Sequence, residues 1–207
     1  MPIQDFLSSA QGNRDQGPNH ELADRIVAGE FAGEELVEFF RTKPHQDLQK
    51  DAVLTLAYVA EQAPELITPY TDLLVDNLGS KINRVVWGSL IALAHITPKI
   101  PDEVFQHLPK VIDAMHASTV VARDYGFRIL AIIYTSDQHR EDVFPLVLEE
   151  IHLAPANQLG QYAERIMEVL EAEHRDTLRK VLEERREELS NPHHLKRLEK
   201  NLKKLKV

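Results

Sequence analysis

The strongest constraint on this chain is an internal repeat. Four apolar helical patterns superimpose on a small central residue, Ala52, Gly88, Gly126 and Ala163, at spacings of 36, 38 and 37 residues. Three and four positions later lie Thr55 and Leu56, Ile91 and Ala92, Ile129 and Leu130, and Ile166 and Met167. Seven positions later come Val59, His95, Ile133 and Leu170. One position earlier stand Asp51, Trp87, Tyr125 and Tyr162, aromatic in the last three copies. A period of this size marks a repeat architecture, in which each helix pair is too small to bury its own apolar face and gains stability by stacking on its neighbours. The small residue is what such stacking asks for, because it lets two helix backbones approach closely.

Helical patterns follow one another from His20 onward. They are separated by short breaks rich in Pro, Gly, Ser and Asn, among them Thr42-Lys43-Pro44, Gln62-Ala63-Pro64, Leu78-Gly79-Ser80, Ala154-Pro155-Ala156 and Ser190-Asn191-Pro192. Residues 1–19, with Gly12-Asn13 and Gly17-Pro18-Asn19, read as a flexible lead-in carrying a short helix over 3–7. Residues 20–190 form the repeat array, and 191–207 a basic C-terminal capping helix with Leu195, Leu198, Leu202 and Leu205 on one narrow stripe. The second helices, such as 85–96, are apolar nearly all round. First helices such as 102–117 are amphipathic and suit an outer layer.

Three first helices carry a proline near the start, in Leu66-Ile67-Thr68-Pro69, Leu108-Pro109 and Phe144-Pro145. A proline-bearing leucine helix, a polar turn, then Val-Arg and a small residue before a Leu/Ile-rich helix resembles the HEAT repeat. The best copies are 66–96 and 108–133, the latter with Val121, Arg123 and Gly126 in matching places. The first copy lacks the proline and the last lacks the arginine. The resemblance covers residues 30–170. It implies an all-α, armadillo-like α-solenoid, a right-handed α-α superhelix of about five stacked antiparallel helix pairs. It specifies architecture and not activity, since such arrays serve many partners.

Composition narrows the chemistry. Only 8 glycines and 6% aromatic residues argue against an all-β sandwich. The absence of cysteine removes disulfides, thiolate metal sites and cysteine nucleophiles, and suits a cytoplasmic setting. No apolar run approaches the ~18–20 residues of a membrane span. The net charge is −9 over 207 residues, yet 191–207 hold six basic residues and one acidic, leaving −14 on the other 190. An acidic body repels phosphate, so nucleic acid is an unsuitable ligand for it and a basic protein or peptide a suitable one.

Neither a phosphate loop, a nucleophile elbow nor a His-Glu-x-x-His pair is present. The ten histidines show no metal-ligand spacing, and adjacent glutamates such as Glu149-Glu150 sit on solvated helix faces. The expectation is a non-catalytic scaffold with no cofactor and no metal. Its candidate binding residues lie at the starts of the second helices: Arg84 and Trp87; Arg123, Asp124 and Tyr125; Gln161, Tyr162 and Glu164. Register would align them on a concave ridge, where arginine and aromatic side chains make binding hot spots. Two roles are open to these residues, partner contact or ties between adjacent repeats. The alternative function is a nucleic-acid-acting protein resembling the HEAT-like DNA glycosylases, which needs a basic concave face.

Overall fold

The computed structural model describes residues 1–206. Every regular element among them is a helix, and no strand is present. The α-helices are α1 (Gly17–Val27), α2 (Gly33–Arg41), α3 (Gln46–Gln62), α4 (Thr71–Asp76), α5 (Asn83–Ile96), α6 (Pro101–Phe105), α7 (Leu108–Ala117), α8 (Val120–Tyr134), α9 (Arg140–Leu153), α10 (Ala156–Met167), α11 (Arg175–Arg186) and α12 (Pro192–Leu205). The chain divides into two compact units, Met1–Ile129 and Leu130–Val207.

Prolines shape the first helices more than periodicity suggests. The expected helix over 102–117 is interrupted between Phe105 and Leu108. Pro109 has no N–H to give to the Phe105 carbonyl and its ring crowds that group, so α6 stops there and α7 restarts with Pro109 in its first turn. Pro64 and Pro69 likewise split 64–79 into 3-10 turns around the short α4. By contrast α9 runs unbroken through Pro145. Glycine does its usual work at the end of α1, where Gly29 takes φ 79°. Its N–H bonds to the Ile26 carbonyl at 3.0 Å and the Glu30 N–H to that of Arg25 at 2.9 Å, which satisfies carbonyls the helix end would leave bare.

In the first unit α3 is the central helix, packed by α1, α2 and α5, with α4 on α5. Ala52 and Gly88 are buried at this centre. A Cβ added at Gly88 would fall 2.9 Å from Val53 Cγ1, so the close approach of α5 to α3 depends on that glycine. Gly126 of α8 is buried in the same way, against Met115 of α7.

The lead-in is held. Leu7 is fully buried, the Ser8 N–H bonds to Asn19 Oδ1 at 2.9 Å and the Ser9 N–H to Asp51 Oδ2 at 2.7 Å. Arg25 lies 4.5 and 4.7 Å over the rings of Phe6 and Phe31. The segment over 1–19, expected to be a flexible lead-in, makes these contacts through a few residues. Ile3 and Leu7 supply apolar anchors, and Asn19 and Asp51 supply the acceptors that loop N–H groups need.

In the second unit α10 packs on α9 and α12, and α11 on α9 and α12. The buried guanidinium of Arg185 reaches from α11 to the end of α9, donating to the carbonyls of His152 and Ala154, the latter at 2.9 Å. The C-terminal helix is fixed by polar anchors as well as leucines. Fully buried Asn201 donates through Nδ2 to the Gly160 carbonyl at 3.0 Å. Arg197 pairs with Glu164 through Nε at 3.0 Å and Nη2 at 2.5 Å.

Candidate functional site

The candidate residues differ in how the fold engages them. Arg84 and Trp87 lie on one face of α5, and the guanidinium carbon of Arg84 sits 5.5 Å from the Trp87 ring centroid. Arg84 is exposed and Trp87 half-buried. An exposed arginine stacked on a half-open indole keeps its hydrogen-bond donors free for a ligand while presenting a flat apolar surface beside them.

Tyr58, a residue the sequence reading passed over, forms the neighbouring part of this surface. Its ring stacks on His20 of α1 at 3.6 Å and 19°. Burial pushes its phenol above the usual range and the positive charge of Arg84 pulls it back, while Glu61, Asp51 and Tyr125 push it further up. The charges that act on this hydroxyl thus come from α3 and α5, with Tyr125 of α8 adding to them. Along α5 the half-buried positions continue as Ile91 and His95. Burial holds the His95 imidazole below its usual range, and nearby Arg128 adds to the effect against the opposing pull of Glu61. Tyr58, Trp87, Ile91, His95 and Tyr125 are all half-buried, with His20 stacked on Tyr58, Arg84 exposed beside Trp87, and Arg128 acting on His95. The signal that would have found these positions is the face 84, 87, 91, 95 of α5, spaced 3, 4 and 4 residues, which interrupts a helix otherwise apolar all round.

Arg123, Tyr162 and Glu164 are engaged within the fold. Arg123 is partly buried and its Nε donates to the Met115 carbonyl at 3.3 Å, tying α8 to the end of α7. Asp124 beside it is half-buried. In the second unit Tyr162 is only 2% exposed, which closes it to a partner, and Glu164 is taken by Arg197. Gln161 is half-buried. The arginine at Arg197 holds the Glu164 carboxyl below its ordinary range, mainly through their hydrogen bond.

No helix of the described residues is long and apolar enough to cross a membrane. No family model matches the sequence, and no curated protein matches it. Among solved structures the chain is similar to an engineered protein crystallised by the Northeast Structural Genomics Consortium, with 19% identity and a TM-score of 0.69. The likeness covers 100% of this chain and 99% of that one. At this identity the likeness shows an all-helical fold and leaves the function to the chain's own residues.

Proposed function

We propose that the chain is a HEAT-like right-handed α-α superhelix acting as a non-catalytic, cytoplasmic interaction module. It holds a protein or peptide segment against the surface formed by Tyr58, Arg84, Trp87, His95, Tyr125 and Arg128. The observation that carries this reading is the Arg84–Trp87 stack, set among half-open aromatic residues on successive second helices. Arg123 shows by contrast what an arginine tied into the fold does here. The first unit carries eleven Lys and Arg against eighteen Asp and Glu, a net −7, and such a field steers a basic partner toward it. At the surface itself, Arg84 and Arg128 call for acceptor groups, such as the main-chain carbonyls of an extended segment or a carboxylate on it.

The single tryptophan provides the test, because Trp87 is the only indole in the chain and stands at the centre of the surface. Peptides selected from a display library against the whole protein should change Trp87 emission on titration. Arg84→Ala and Tyr125→Ala should each weaken that binding by about tenfold or more. Selected peptides that bind equally well to both variants, and leave the emission unchanged, would refute the reading.

A further inference from the structure

The second unit contains a cluster that histidine spacing in the sequence does not disclose, because its other members are glutamates. One donor atom each from Glu141, Glu173 and His174 lies within 4.8 Å of the other two. We propose that these residues bind one divalent cation of the zinc class through His174 Nε2 and one carboxylate oxygen from each glutamate, with water completing the coordination.

The imidazole is built as a ligand is built. His174 is 8% exposed, and its ring stacks on Phe144 at 3.8 Å and 14°. Its Nδ1 lies 2.8 Å from the Tyr134 hydroxyl. That hydroxyl oxygen also accepts the Glu171 N–H at 3.0 Å. Histidines that bind metals are commonly oriented through their second nitrogen in this way. With Nδ1–H donating to the Tyr134 oxygen, Nε2 keeps its lone pair and points at the carboxylates.

Distances fit the ion. His174 Nε2 stands 3.4 Å from Glu141 Oε1, longer than the ~2.7–2.9 Å of a charge-assisted hydrogen bond. It matches the edge of a tetrahedron of about 3.3–3.6 Å that follows from metal–ligand bonds of ~2.0–2.2 Å. Both glutamates are exposed and can rotate to close the remaining separation. The neighbouring cations are engaged elsewhere: Arg140 pairs with Asp137 at 2.7 Å and Glu171 at 3.5 Å, and Arg175 donates to the Lys204 carbonyl at 2.8 Å. Two carboxylates and a neutral imidazole leave a net negative charge for a divalent ion to neutralise, in a donor set that suits zinc-like metals. Glu141 belongs to the first turn of α9, and Glu173 and His174 to the 3-10 turn before α11, so the ion would clip the starts of these two packed helices together.

Calorimetric titration of the full chain with zinc chloride, with cobalt(II) absorption as a report on coordination, tests the site. The expected result is saturation at one ion per chain with a rise in Tm. Glu141→Gln and Glu173→Gln, both at exposed positions that leave the fold intact by circular dichroism, should each weaken binding about tenfold or more. Replacing His193 and His194 by alanine should leave it unchanged. No saturable uptake at millimolar metal, or uptake indifferent to both glutamine variants, would overturn the proposal.

Discussion

The two units treat equivalent positions of the repeat in opposite ways. In the first, the aromatic residues before the small position, Trp87 and Tyr125, are half-buried, with Arg84 lying on the indole, while the Asp51 of the first copy is buried. In the second, the same position is Tyr162, enclosed in a helix packed on α9 and α12, and the neighbouring Glu164 is bound by Arg197. Charge follows the same division, with −7 on the first unit and −2 on the second, where thirteen basic residues face fifteen acidic ones. A repeat register thus fixes where a side chain emerges from its helix. The next element to pack decides whether that side chain stays partly open or joins the core.

The sharpest way to break this contrast is to remove one arginine from each unit. Arg185→Ala deprives two carbonyls at the end of α9 of a buried charged donor and should cost about 2–4 kcal/mol, since hydrogen bonds to charged groups are worth about 1.5–3 kcal/mol each. Arg84→Ala, whose guanidinium is exposed, should stay within about 0.5 kcal/mol. Denaturant midpoints of the two variants check the pair, and equal losses would erase the distinction. Next in size is Gly126→Leu, expected to destabilise by about 1–3 kcal/mol through overlap with Met115, against no measurable change for Ala10→Leu at an exposed position.

Smaller effects come from the shifted titrating groups. The folded-state pKa of Glu164 is lowered, so its pair with Arg197 contributes above the usual glutamate value of 4.5 and is lost as pH falls through the folded value. The pair is partly exposed, so Glu164→Gln should cost at most about 1 kcal/mol at neutral pH. The difference from the parent should vanish in acid; one that persists there would show a packing role instead. Smallest is His95, which should titrate below 6.5 by proton NMR and move upward in Arg128→Ala. Because burial lowers its folded pKa, its neutral form costs no stability above 6.5, and stability declines as pH falls below that value.

Much of the helical order was legible in the chain. Ala52, Gly88, Gly126 and Ala163 are all buried, as their common spacing required. The interruption at Phe105 was less legible, since periodicity is carried by side chains whereas the break is a backbone effect of Pro109. The docking of Ser8 and Ser9 rests on Asn19 and Asp51, and such long-range polar partners leave no periodic trace. Tyr58 was missed for a related reason: it is six residues from the small position, off the face that the other aromatics share. His174 and Glu141 are separated by 33 residues of chain and meet only because α9 and α11 pack.

Asn201 carries a different kind of consequence. Leucines at 195, 198, 202 and 205 present nearly the same stripe after α12 slides by one turn, so hydrophobic contact alone distinguishes poorly between alignments. The amide of Asn201 reaches the Gly160 carbonyl in one alignment and would be buried without a partner in a shifted one. Even in place, its Oδ1 has no partner among the described residues, so the side chain gives up some stability. What it contributes is uniqueness, as a lone buried asparagine does when it fixes the register of a coiled coil. Asn201→Leu should accordingly yield a helix that is bound at least as firmly but populates more than one resting place.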